Sequence, residues 1–122
     1  MSDHENLIDT YLAAYGEPDE STRATLIAEV FAADATLADP PFSAHGHDEL
    51  STTFGTVQGH YPGHRFARTS VVDEHHDTAR YTWALDGPDG STAVAGMDVV
   101  TFGSDGKIAG VTGFFGDLPP AV

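Results

Sequence analysis

The stretch "AGMDVVTFGSDGKIAGVTGFFG" (residues 95–116) decides the fold. It reads as two β-rich runs hinged on "GSDGK" (103–107), a loop with the Asp-Gly chemistry of a hairpin turn. In the first run, period-two alternation groups Gly96, Asp98, Val100 and Phe102 on one face. Met97, Val99 and Thr101 fall on the other, and both faces read as internal. Asp98 is therefore anomalous. An ionised carboxylate in apolar surroundings costs several kcal/mol unless it is paired.

Outward from this hairpin, "DEHHDT" (73–78) and "DGPDGS" (86–91) are two more turn signals. They set "RFARTSVV" (65–72) and "ARYTWAL" (79–85) before "TAVAGMDVVTF" (92–102) and "KIAGVTGFFG" (107–116). Four such runs in series predict an antiparallel meander. The first half reads as helices. Ser2 and Glu5 fit a capping box, and Leu7, Ile8, Tyr11, Leu12 and Tyr15 recur at helical spacing until Gly16 and Pro18. A second helix carries Leu26, Ile27, Val30 and Phe31 on one side. "DATLADPP" (34–41) is extended and stopped by its prolines. A third helix starts near Asp48, uses Leu50, Phe54 and Val57, and ends in "GHYPGH" (59–64). The expectation is one α+β domain over residues 1–122, a curved antiparallel sheet packed on three helices.

At 122 residues, 40% of them hydrophobic, the chain has enough for one core and a small pocket. Nineteen acidic residues against five basic ones give a formal charge of −14, which repels nucleic-acid phosphates and anionic membranes. A neutral or cationic ligand suits that balance better than an anion. With no cysteine there is no disulfide or thiolate chemistry. No apolar run has the length to cross a bilayer, and "MSDHENLIDTYL" lacks the positive region of a signal peptide, so a cytoplasmic protein is expected.

Three polar groups point to chemistry. Asp98 sits in a buried run, Tyr11 on the apolar stripe of the first helix, and Asp39 where Pro40 and Pro41 turn the chain out of the core. Each has a plain alternative: Asp98 paired with Arg80 or Arg65, Tyr11 with its hydroxyl reaching water, Asp39 as a turn initiator. Taken together they suggest more. A buried Asp kept protonated by desolvation is a hydrogen-bond donor, and a phenol beside it is a second. Two neutral donors in a dry pocket suit an enolate oxygen, and a partly solvated carboxylate such as Asp39 completes proton abstraction next to a carbonyl. Candidate pocket walls are Phe31, Phe54, Trp83, Phe102, Phe114 and Phe115. His45, His47, His60 and His64 lie in breaker-rich loops, and His75 and His76 at a hairpin tip, so no metal site is expected.

"LIDTYLAAY" (7–15), "FAADATLADP" (31–40), "VAGMDVVTF" (94–102) and "GFFGD" (113–117) resemble, in order and spacing, segments of the bacterial ketosteroid isomerases. These belong to the SnoaL-like, or nuclear-transport-factor-two-like, superfamily. The resemblance implies a cystatin-like, cone-shaped α+β fold, a homodimer, and no cofactor or metal. It places the family's tyrosine donor on Tyr11, its general base on Asp39 and its protonated aspartic acid on Asp98. The base would move a proton across one face of a small apolar carbonyl substrate while both donors hold a dienolate oxygen. A SnoaL-like polyketide cyclase, or a pocket that binds without turnover, are the alternatives. The family's second tyrosine falls on Phe54, so Tyr15 or Tyr61 would have to substitute for it. "PPFSAHG" (40–46) replaces the flexible stretch after the base. Epoxide-hydrolase relatives would place an Arg where this chain has Gly96.

Overall fold

A computed structural model describes residues 3–121. Ser2 of the expected capping box lies outside them. The elements are α1 (Asp3–Tyr15), α2 (Glu20–Val30), β1 (Phe31–Asp39), β2 (Phe42–His45), α3 (Gly46–His60), β3 (Arg65–Arg68), β4 (Asp73–His75), β5 (Thr78–Asp86), β6 (Thr92–Phe102) and β7 (Ile108–Phe115). Three helices pack on one face of a curved seven-stranded sheet of order β2-β1-β7-β6-β5-β3, with β4 also paired to β5. The class is α+β.

The helical stripe on α1 buries Ile8, Tyr11, Leu12 and Tyr15. Asp19 caps α2 by accepting from the Thr22 N–H at 2.8 Å. Phe31 does not continue α2: its backbone is extended (φ −102°, ψ 138°) and it opens β1 with its ring fully buried. Helix α3 starts two residues earlier than expected, at Gly46, whose φ of +85° suits glycine. Glu49 Oε1 there accepts from the His45 N–H at 3.0 Å, satisfying a donor at the helix start. Among the described residues no helix is long and apolar enough to cross a membrane.

The sheet is mixed, not wholly antiparallel. β1 runs parallel to β7, with Leu37 opposite Val111, and antiparallel to β2, with Asp39 opposite Phe42 across the Pro40–Pro41 turn. Turn signals reveal neighbours joined by short loops, and β1 joins β7 from the other end of the chain, so the parallel pair leaves no such mark. Of "RFARTSVV" only residues 65–68 form a strand, β3, and β4 lies beyond the run, inside the stretch expected as the turn "DEHHDT". The Ser70 hydroxyl accepts from the Thr82 N–H at 2.9 Å, so a side chain replaces the ladder between β3 and β4.

Strand β6 has only one internal face. Gly96, Asp98, Val100 and Phe102 are buried, while Met97 and Val99 are half-buried and Thr101 is exposed. The helices cover the Asp98 side and leave the other to solvent. Between helices and sheet, Tyr11 meets Phe31 edge-on at 5.3 Å, and Tyr15 stacks on Phe54 at 4.2 Å with 21° between the rings. This aromatic packing fixes α1 above the sheet, and both tyrosines with it.

Candidate active site

α1, α3 and the concave face of the sheet enclose a cavity of about 410 Å³. Its walls include Phe42, Val57, Tyr61, Phe66, Leu85 and Phe115, and its polar groups include Tyr11, Tyr15, Asp39 and Asp98. The size and the ratio of apolar wall to a few convergent polar atoms fit a small-molecule site.

Asp98 lies on the floor with 2% of its surface exposed. Tyr81, directly opposite on β5, donates its hydroxyl to Oδ2 at 2.8 Å, and Trp83 Nε1 donates to Oδ1 at 3.0 Å. The indole reaches Oδ1 by lying across Gly96, where a Cβ would collide with the Trp83 ring and the Phe114 carbonyl. Tyr11 faces the same carboxyl and favours its ionised form more weakly. No arginine is involved: Arg80 Nε binds Asp73 at 2.8 Å on the surface, and Arg65 is exposed. Burial pushes Asp98 up from 3.8 to about 7. The Asp39 charge pushes the same way, against the hydrogen bonds from Tyr81 and Trp83 and the weaker pull of Tyr11.

Asp39 ends β1 at the cavity wall, half-buried. Its Oδ2 accepts from the Tyr15 hydroxyl at 2.9 Å. Burial raises its pKa, and the Tyr15 hydrogen bond opposes that shift. The two carboxyls meet over Gly113, which is opposite Asp98 on β7. A Cβ added there would collide with Asp39 Oδ1 and lie 3.0 Å from Asp98 Oδ1. Two carboxyls this close resist ionising together, so one proton stays in the site over the pH range where Asp98 is neutral.

The cavity thus collects Tyr11, Asp39, Asp98, Trp83 and Phe115 of the expected residues. The other four aromatics lie elsewhere. Phe31 and Phe54 are wholly buried in the core, against Tyr11 and Tyr15. Phe102 stacks on His4 at 3.7 Å. Phe114 is 53% exposed, because alternation sends Gly113 inward and its neighbour outward. Two participants hold roles that differ from expectation or were not expected, and each has a signal in the sequence. Tyr15 is four residues beyond Tyr11, hence on the same helix face, and it serves Asp39 where a support for Tyr11 was expected. Pairing Leu85 with Val94 across the 86–91 turn sets Tyr81 opposite Asp98. No group of three or more metal-ligating side chains occurs among the described residues. His47 is engaged by the Phe31 and Ala32 carbonyls, 3.0 and 3.1 Å from Nε2.

The sequence profile of the SnoaL-like domain family matches residues 8–111. No curated protein matches the chain. Among solved structures, it is similar to a SnoaL-like family protein of Agrobacterium tumefaciens, provisionally named an isomerase. The two are 31% identical with a TM-score of 0.89, over 96% of this chain and all of that one. A protein of unknown function with a cystatin-like fold from Methylobium petroleophilum matches at 18% identity and TM-score 0.73, over 95% of this chain and 77% of that one. A Catenulispora acidiphila protein with a ketosteroid isomerase-like fold, solved with trimethylamine, matches at 15% identity and TM-score 0.71, over 88% of this chain and 82% of that one.

Proposed function

The chain belongs to the SnoaL-like domain family, and we propose that it is a cofactor-independent isomerase that moves a proton beside the carbonyl of an apolar substrate. The finer reading is a β,γ-unsaturated ketone of steroid size. Asp39 Oδ1 takes a proton from the carbon next to the carbonyl. The electrons of that C–H bond form the dienolate, whose oxygen receives hydrogen bonds from Tyr11 and from protonated Asp98. Asp39 then returns the proton to the far end of the dienolate, giving the conjugated enone and restoring the carboxylate. Atoms and charge balance without a co-reactant. Positioned acid–base catalysis contributes about 10²–10⁴-fold, and each oxyanion donor about 10²–10³-fold.

The observation that carries this reading is the pair of carboxyls over Gly113. One is half-buried and held by a phenol; the other is buried without a cation and raised to about 7. That is the division of labour between base and neutral acid. Mixing the protein with a β,γ-unsaturated 3-ketosteroid should produce the ultraviolet absorbance of a conjugated enone, and Asp39→Asn should abolish it. No gain in absorbance, or a gain unchanged by that substitution, would reject the steroid assignment.

One observation favours a second reading. Both Asp98 oxygens already have partners in Tyr81 and Trp83, as they would in a pocket that binds an apolar ligand without turnover. A phenolic analogue of the dienolate separates the two. Working donors give affinity that drops on Tyr11→Phe, whereas an inert apolar pocket is indifferent to it.

A further inference from the structure

We propose that Tyr15 and Gly113 together position Asp39 for proton transfer, Tyr15 by holding Oδ2 and Gly113 by leaving open the space into which Oδ1 projects. This rests on the isomerase reading above. Tyr15 is a fixed donor: it is 4% exposed, stacked on Phe54 and tilted against Phe66 at 4.5 Å. Its bond to Oδ2 at 2.9 Å sets the carboxyl plane, while Pro40 stiffens the backbone just beyond. Among the described residues no donor binds Oδ1, so that oxygen is the one free to accept a proton.

Gly113 explains where Oδ1 goes. Its φ is not positive, so nothing in the backbone there demands glycine, and glycine weakens a strand interior. What the position needs is empty volume. Even a methyl group would collide with Asp39 Oδ1 and press on Asp98 Oδ1 at 3.0 Å. Tyr15 therefore chooses which oxygen is occupied, and Gly113 lets the other sit beside the oxyanion donors. Neither gives or takes a proton; both are positioning residues.

The test pairs Tyr15→Phe with Gly113→Ala, read by steady-state kinetics across pH and by carboxyl-carbon NMR of Asp39. Tyr15→Phe should lower kcat about tenfold, the scale of losing a hydrogen bond to a charged group, while KM moves by less than about twofold. The acidic limb of kcat/KM and the Asp39 titration should both move to higher pH, because the ionised form loses its donor. Gly113→Ala should lower kcat by about 10²-fold, as expected for a base displaced by about 1 Å, with the circular dichroism spectrum retained. If that variant does not fold, Tyr15→Phe decides alone. An Asp39 titration unmoved by Tyr15→Phe, or a folded Gly113→Ala protein with undiminished kcat, overturns the inference. Failure of the isomerase reading looks different: the wild-type protein would turn over no enone, while the Asp39 titration still reports whether Tyr15 holds it.

Discussion

Tyr81 and Asp98 face each other across β5 and β6, and the phenol donates to Oδ2 at 2.8 Å from the directly opposite register position. Both residues have 2% of their surface exposed, so water cannot take over this bond. It outweighs the Trp83 hydrogen bond in favouring the ionised carboxyl over the neutral one. Burial wins nonetheless, and the floor of the pocket keeps a proton near neutral pH.

Removing that phenol should strengthen the outcome. In Tyr81→Phe the charged form of Asp98 loses more than the neutral form, so its midpoint should rise above about 7. Folding stability should fall by about 1–2 kcal/mol, and by more at alkaline pH than at acidic pH. Denaturant unfolding at both ends of the range checks the sign.

Stability itself should depend on pH through Asp98. Its folded pKa, about 7, lies above its ordinary value of 3.8. The folded protein therefore binds more protons between these values, and its stability falls as pH rises across that window. The contribution is fully present below the ordinary value and lost once pH passes the folded one. Asp39, also raised, acts in the same direction. Asp98→Asn, neutral at every pH, should flatten the profile in thermal unfolding measured against the wild type.

The two carboxyls should titrate as neighbours. Asp39→Asn removes a negative charge that raises Asp98, so the Asp98 midpoint should drop below about 7. The substitution keeps the shape of the side chain, so a drop reports charge and not packing. Carboxyl-carbon NMR on the variant measures it directly.

Much of this site was legible in the sequence, and the part that was not has a physical pattern. Asp98, Asp39 and Tyr11 each break a local rule: a charge in a buried run, a carboxylate before two prolines, a phenol on an apolar stripe. Such violations are visible residue by residue. Tyr15 gives the same local signal as Tyr11 and Tyr81 gives none, since a tyrosine in a strand is ordinary; what each serves comes from partners 24 and 17 residues away. The parallel pairing of β1 with β7 is hidden for the same reason, because it joins segments that share no turn. Pocket aromatics needed parity and depth together: alternation separates Phe114 from Phe115, but only the packed helices bury Phe31 and Phe54 out of reach of a ligand.

Gly96 offers a check on how the floor is built. A Cβ there would collide with the Trp83 ring and the Phe114 carbonyl, so Gly96→Ala should push the indole off Asp98 Oδ1. The expected cost is on the order of 1–3 kcal/mol, as for other overpacked sites. Trp83 is the only tryptophan, so its fluorescence reports the displacement without interference.

The protonation of the two carboxyls is read from the carboxyl-carbon chemical shifts of Asp39 and Asp98 in the wild-type protein, followed from about pH 4 to about pH 9. Asp39 should ionise first, while Asp98 holds its proton until a midpoint near 7. An Asp98 already ionised in the ordinary carboxylate range would contradict it, because the pocket would then hold two negative charges and only Tyr11 to steady the substrate oxygen.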